Sequence, residues 1–337
     1  MALRIGFAGD VMLGRLVDDR QGSRSVDAVW GDLLERLRGL DGLVCNLECV
    51  LSTRGREWRR THRPFHFRAD PDRAVPALER AGVDVCALAN NHVLDYEETG
   101  LRDTLAALDD AGIARAGAGE TLDEALEPAV RTIPGSAEGE GLDLAVVSLT
   151  DNTPEYAADG NSPGTARIEI DLDDPETRRL VEDALERARE TDPDLLVASL
   201  HWGPNMVTEP PDAFREFGRR LIEAGVDLVH GHSAHVFQGI EVHEGKPICY
   251  DTGDFVDDYE VDEELRNDRS FLFVLRVTPE GRLRELRLHP TEIDGCAVRE
   301  AGSDAAAWAR DRMRELSDPF GTDFDREGDA LVLPLEG

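Results

Sequence analysis

The chain predicts an α/β fold with a largely parallel sheet and an antiparallel portion near its C-terminal end. Three observations carry this. Short apolar, β-branched runs alternate with amphipathic segments of helical period, the pattern of βα units. Several of the helical segments close on Ala-Gly, a helix stop signal. Two late apolar runs are joined by Glu280-Gly281, a hairpin-like turn.

In chain order, strands are expected at 3–8, 42–45, 84–89, 143–149, 195–200, 226–229 and 247–250, then at 271–277 and 283–289. Helical patterns fall at 26–38, 72–81, 98–111, 175–190 and 211–224, three of them ending in Ala-Gly at 81–82, 111–112 and 224–225. PGSAEGEG (134–141) reads as a surface loop, and NTPEYAADGNSPGTA (152–166) as a longer loop of the kind that borders sites. Residues 1–300 read as one domain. Residues 301–337 read as a helical, then extended tail docked on the same body, with the apolar ALVLPL at 330–335. With 41% hydrophobic residues in 337, the chain can fill a sizeable core.

Charge is the unusual feature. Seventy acidic residues face 37 basic ones, a net −33, and Lys246 is the single lysine. The acid is spread along the chain, so it describes a surface and not a tail. Such a field disfavours nucleic acid and anionic lipid. It suits high salt, where self-repulsion is screened, and suggests a halophilic source. Five cysteines, an odd count without CxxC spacing, do not suggest a disulfide framework or a structural zinc site; Cys45, Cys86 and Cys249 read as small core residues. The chain opens on a strand with no signal segment before it, and no apolar run approaches the ~20 residues of a membrane anchor. The expectation is a cytoplasmic protein.

The chemistry gathers at strand ends. Gly9-Asp10 follows the first strand and Asn46-Leu47-Glu48 the second. Asn90-Asn91-His92 follows the third, with Asp95 three positions on. His201-Trp202-Gly203 and Gly231-His232, then His235, follow two more. Each alone has an ordinary reading as a helix cap, a turn or a core histidine. Together they place Asp, Glu, Asn and His where open α/β sheets bind ligands. As ligands they are borderline-to-hard and suit Mn, Zn or Fe.

The motifs GDVMLGR (9–15), NLE (46–48), ANNHVLDYEETG (89–100), HWG (201–203) and GHSAHVFQGIEVHEGKPICYDTGDF (231–255) resemble the bacterial capsule-synthesis and poly-γ-glutamate biosynthesis (CapA-like) family. That family lies within the calcineurin-like metallophosphoesterase superfamily, and the resemblance spans residues 3–258. It implies two mixed β-sheets packed face to face with flanking helices, a four-layer α-β-β-α sandwich, and two divalent metal ions at the strand ends. Carried over position by position, Asp10 binds one metal with His235, and Glu48 bridges both. Asn91, His201 and His232 bind the other. His92 is the general acid, and Asp95 orients it.

Two departures stand out. The superfamily usually carries histidine two residues after its first Asp, where this chain has Met12, and it often carries GHxH where this chain has GHxxH. His230 reads as a core or supporting histidine, and Asp251 and Asp254 as turn and hydrogen-bonding residues. The DDYEVDEEL run from Asp257 reads as a solvated acidic face.

The implied chemistry is metal-assisted hydrolysis of an anionic small-molecule or polymer substrate. Arg15 would supplement the metals' positive charge on a phosphoester, and Trp202 would wall the site. Three functions stand: a metal-dependent phosphoesterase, a γ-glutamyl amide hydrolase using the same site, and a non-enzymatic capsule accessory protein.

Overall fold

The computed structural model describes residues 2–135 and 141–335. Its first four main strands, β1 (Leu3–Val11), β2 (Gly42–Leu47), β3 (Val85–Ala87) and β4 (Ala114–Ala116), lie side by side and parallel. The chain then builds a second sheet. Its strands are β5 (Ala129–Pro134), β6 (Gly141–Thr150), β7 (Leu195–His201), β8 (Leu228–His232), β9 (Ile240–His243) and β10 (Lys246–Cys249). They run in the order β9-β10-β8-β7-β6-β5, with a parallel centre and an antiparallel strand at each edge.

The chain returns to the first sheet with β11 (Asp254–Val256), β12 (Arg269–Val277), β13 (Leu283–Ile293), β14 (Val298–Glu300), β15 (Asp325–Glu327) and β16 (Ala330–Pro334). That sheet orders as β15-β16-β13-β12-β1-β2-β3-β4, with β11 beside β1 and β14 beside β13. The predicted hairpin is the antiparallel pair β12/β13.

Period-two alternation decides which face meets what. Ile5, Phe7, Val44 and Val85 point between the sheets, where they pack with Leu144, Val146, Val197 and Leu228 of the second sheet. Leu43 and Cys45 point outward, against helices at Pro71–Ala81 and Glu97–Ala111. Ala145, Val147, Ala198 and Leu200 point outward from the second sheet, against helices at Pro175–Glu190 and Asp212–Glu223. The result is the four-layer α-β-β-α sandwich. Each fully buried Val, Leu, Ile or Phe contributes about 1.5–3 kcal/mol, so these layers are the main stabilising term.

Three features differ from the periodicity or add to it. The helix expected at 26–38 is a 3₁₀ segment at Val26–Leu33 and a short helix at Leu34–Arg38. Gly31 breaks it at φ +50°, where a Cβ would stand 2.5 Å from Val298 O on β14. The C-terminal residues do more than dock: the helix Ser303–Ser317 places Ala309 and Met313 in the inter-sheet core, and β16 pairs with β13. β4, β5, β9, β11, β14 and β15 lie outside the expected strands, most of them too short to show a period. The loop expected at 134–141 lies, at residues 136–140, outside the described residues. Among the described residues no helix is long and apolar enough to cross a membrane.

One close approach prepares the site. At Gly9 a Cβ would fall 1.8 Å from Gly253 O, so only glycine lets β1 and β11 pair there. That pairing sets Asp10 in register with Asp254.

Candidate metal centre

Because both sheets have parallel centres and pack face to face, their strand ends meet at one edge of the sandwich. Asp10 is near the end of β1, Glu48 directly follows β2, and Asn91 and His92 follow β3. His201 and His232 are the last residues of β7 and β8 and are register partners. His235 lies in the loop after β8, at φ +60°.

Two groups of donors form there. The ligand atoms of Asp10, His201 and His232 all lie within 4.8 Å of one another, as do those of Asp10, Glu48, His235 and Asp254. Asp10 is the residue common to both groups, and Glu48, expected to bridge, belongs to the second. His201 Nδ1 and His232 Nδ1 are 3.0 Å apart, and Asp10 Oδ1 stands 3.9 and 3.7 Å from them. His235 Nδ1 lies 3.5 Å from Asp10 Oδ2 and 2.8 Å from Asp254 Oδ1. Glu48 Oε1 lies 4.0 Å from His201 Nε2.

Five buried atoms of this cluster have no hydrogen-bond partner among the described residues: Asp10 Oδ2, Glu48 Oε1, Asn91 Oδ1, His201 Nε2 and Asp254 Oδ2. Leaving a buried polar atom unpaired costs about 1–3 kcal/mol, and more when it is charged. Four of the five are oxygens of carboxyl or amide groups, which as carboxylates and an amide carbonyl only accept and cannot satisfy each other. A divalent cation satisfies O and N donors together, and this donor set fits Mn, Zn or Fe without a thiolate.

The electrostatics agree. Burial holds the pKa values of His201 and His232 well below the usual histidine range, leaving neutral imidazoles. Burial pushes the carboxyls of Asp10, Glu48 and Asp254 upward, and their mutual repulsion adds to this at Glu48 and Asp254. Burial disfavours charge on His235, but the carboxylates of Glu48 and Asp10 outweigh it and raise its pKa.

Local sequence pattern makes Asp254 a turn residue, yet β11 carries it into the donor cluster. The turn role belongs to Asp251: its carboxylate accepts from Ala234 N and Gly253 N, both at 2.7 Å. Burial pushes the Asp251 carboxyl up to about 8.

Behind the donors lies an ordered polar layer. Asn46 Nδ2 donates to Asp10 Oδ1 at 2.6 Å, and Asn90 Nδ2 donates to Asn46 Oδ1 at 3.0 Å. His232 Nε2 lies 2.9 Å from Ser199 Oγ. His230 is a core histidine between Ser199 and Thr252, and burial lowers its pKa to about 3. Met12 is fully buried, and its sulfur accepts from Gly14 N at 3.1 Å.

His92 stands at the mouth of the cluster. Its Nδ1 lies 2.5 Å from Asp95 Oδ2 and its Nε2 lies 4.0 Å from Glu48 Oε1. The Phe67 ring stacks on the imidazole at 3.7 Å. Asp95 is fully buried, held by Phe67 N at 2.7 Å and by the Tyr156 hydroxyl at 3.0 Å. Tyr156 belongs to the loop expected to border a site. Burial lowers the His92 pKa, and Asp95 partly restores it.

A cleft of about 970 Å³ opens above these residues, lined in part by Arg15, Arg63, Asn91, His92, His235 and Tyr259. Arg15 lies at its rim, 3.3 Å from Asp258 and over the rings of Phe65 and Phe67. Arg63, missed from sequence, donates to Asn91 O and lies 3.9 Å from Asp95. Trp202 does not wall the cleft: its indole is buried against Phe214, Phe217 and Tyr250, with Nε1 donating to Tyr250 O. That aromatic pocket lies under the second sheet's helices, away from the donors. The acidic run after β11 is also not uniformly solvated. Asp257 and the Asp258 side chain are buried, and the Tyr259 hydroxyl donates to Glu48 Oε2 at 3.1 Å, whereas residues 260–264 are exposed.

Comparison with known proteins locates this arrangement. The sequence profile of the bacterial capsule synthesis proteins PGA_cap matches residues 4–259, which contain every donor from Asp10 to Asp254. A probable polyglutamine synthesis accessory protein of Mycobacterium tuberculosis is 36% identical over 303 residues, covering 87% of this chain and 77% of that protein. The PGA biosynthesis protein CapA of Bacillus subtilis is 28% identical over 257 residues, covering 76% of this chain and 63% of that protein. The capsule biosynthesis protein CapA of Bacillus anthracis is 27% identical over 258 residues, covering 76% of this chain and 60% of that protein. The matched segments thus span under two thirds of the two Bacillus proteins.

Proposed function

Since the chain belongs to the bacterial capsule synthesis protein family PGA_cap, we propose that its strand-end cluster is a two-metal centre for hydrolysis of an anionic substrate, with a phosphoester as the bond cleaved. The observation that carries this reading is the set of five unpartnered buried donor atoms beside the His92–Asp95 pair. In this reading Asp10, Glu48, His235 and Asp254 hold one ion. Asp10, His201, His232 and Asn91 hold the other. Divalent ions there would neutralise an oxyanion and acidify a water.

The chain's own residues supply the rest. Asp95 accepts at His92 Nδ1 and fixes the ring, so Nε2 faces the cluster and delivers a proton to the leaving group. The stacked Phe67 excludes water from that ring face. Arg15 and Arg63 reach into the cleft and hold the substrate's remaining negative charge, which matters in a chain of net charge −33.

The relatives' involvement in polyglutamine and PGA synthesis supports a second reading. The same donors and the same proton would then serve a γ-glutamyl amide. The test is to purify the protein at high salt, measure bound metals, and assay a phosphodiester and a phosphomonoester with Mn²⁺. Bound metal with phosphoesterase activity lost in His92→Ala is expected. Glutamate release from polyglutamate without phosphoesterase activity would move the assignment to the amide. Absence of bound metal in every divalent ion tried would remove both.

A further inference from the structure

The cleft above the donors has an apolar side that metal binding leaves unused. Among the described residues four large apolar side chains are exposed: Leu16, Phe65, Val130 and Val261. Phe65 and Val261 line this cleft, and Leu16 follows Arg15, which lines it too. Leu16 N donates to Asp258 Oδ2 at 2.9 Å, which ties it to the segment that carries Val261. Single exposed apolar residues are ordinary, but several around one concave site mark a place for a ligand.

The rings on this side form an ordered array. Phe67 stacks on His92 with centroids 3.7 Å apart and planes inclined by 21°, and Phe65 lies next to Phe67 at 6.4 Å and 24°. Phe67 is 2% exposed and Phe65 56%, so the array runs from the imidazole out to solvent. The Arg15 guanidinium lies 5.2 Å from the Phe65 centroid and 5.4 Å from that of Phe67, and steadies both rings. A second lining segment begins at Tyr259, 5.8 Å from Phe67, and continues with Val261 between Glu260 and Asp262. Charge is divided along the cleft. Arg63 donates to Asn91 O at the inner end, whereas Glu260, Asp262 and Glu263 are exposed at the outer end.

We propose that Phe65 and Val261 form a subsite for an uncharged, apolar leaving group, so that the substrate is the phosphoester of an aliphatic or aromatic alcohol. The proposal rests on the phosphoesterase reading for which oxygen takes the His92 proton. In that step the oxygen of water bonds to phosphorus, the bond from phosphorus to the alcohol oxygen breaks, and the His92 proton completes the alcohol. The group on that oxygen therefore starts beside His92 and lies in the cleft along Phe67 and Phe65. An apolar group there removes from water the exposed surface of Phe65 and Val261. An anionic group would meet the carboxylates of Glu260, Asp262 and Glu263, and a polar one would lose its water against the ring faces.

The test is calorimetric binding of three non-hydrolysable probes to the full chain in Mn²⁺: methylphosphonate, hexylphosphonate and 6-phosphonohexanoate. Each buried methylene tightens binding about fourfold, so hexylphosphonate should bind the parent at least about tenfold more tightly than methylphosphonate. The terminal carboxylate of 6-phosphonohexanoate should cancel most of that gain. In Phe65→Ser/Val261→Ser the hexyl-to-methyl ratio should fall below about threefold, whereas Phe65→Leu should keep most of it. Both positions are exposed, and circular dichroism and thermal melts check that each variant is folded. A parent ratio near one, an unchanged ratio in the double variant, 6-phosphonohexanoate as the tightest probe, or no binding of any probe overturns the subsite. Turnover of hexyl phosphate is read separately. Chain-length preference without turnover keeps the subsite and removes the phosphoesterase reading; turnover without preference does the reverse.

Discussion

His92 Nδ1 and Asp95 Oδ2 lie 2.5 Å apart beneath the ring of Phe67, and this pair orients an imidazole that faces both the donor cluster and the cleft. If Asp95 acts by holding that ring, Asp95→Asn should lower turnover about 10–100-fold while bound metal stays at the parent level. Leaving-group dependence separates proton delivery from general damage. An alkyl phosphoester, which needs its leaving oxygen protonated, should lose more than a p-nitrophenyl ester. Equal losses on both would assign Asp95 to folding alone.

Asp254 provides a second test, since its carboxylate meets His235 at 2.8 Å and carries an unpartnered oxygen. Asp254→Asn should weaken divalent-ion affinity about 10–100-fold. Asp251→Asn should instead lower the melting temperature with a smaller effect on affinity, because Asp251 holds the backbone of the turn. Isothermal titration with Mn²⁺ and thermal melts distinguish them; the reverse pattern would place the ligand at Asp251.

These two aspartates also mark where the sequence is legible and where it is not. The apolar runs of β1, β2, β7 and β8 end at Asp10, just before Glu48, at His201 and at His232, so their donors can be read from local pattern alone. Asp254 cannot, because its position depends on β11 pairing with β1, 244 positions earlier in the chain. The same holds for Tyr259, which follows two aspartates and precedes five exposed residues and nevertheless donates to Glu48. Trp202 fails for the opposite reason. Its neighbour His201 points to the donors, and strand alternation turns the indole to the other face. Arg63 sits in an irregular strip whose path no period reveals.

His289 on β13 offers a pH test away from the metal centre. Burial, together with Arg36 and Arg287 nearby, lowers its pKa from 6.5 to about 4. The unfolded chain therefore binds more protons between pH 6.5 and about 4. Stability from the neutral imidazole is complete above 6.5 and is lost as pH falls through that window. Urea unfolding at pH 7 and at pH 4.5 should show the parent losing up to about 2 kcal/mol more than His289→Leu, allowing for partial exposure. Equal losses would contradict a neutral His289 in the fold.

The acidic surface makes a prediction of its own. At net charge −33 the folded chain repels itself, and salt shortens the range of that repulsion from about 10 Å at 0.1 M to about 3 Å at 1 M. Raising KCl from 0.1 to 2 M should raise the melting temperature by at least about 5 °C. A flat or falling melting curve would remove the reading of the surface as an adaptation to salt.

If Asp10, Glu48, Asn91, His201, His232, His235 and Asp254 form a metal centre, the purified chain should carry divalent ions. The protein should be purified at high salt, exposed in turn to Mn²⁺, Zn²⁺ and Fe²⁺, desalted, and measured by plasma mass spectrometry beside the folded variant Asp10→Asn. Asp10 belongs to both donor groups, so the account predicts two ions per parent chain with at least one of the three metals, and loss at both positions in the variant. A folded parent that retains no divalent ion with any of them would contradict it.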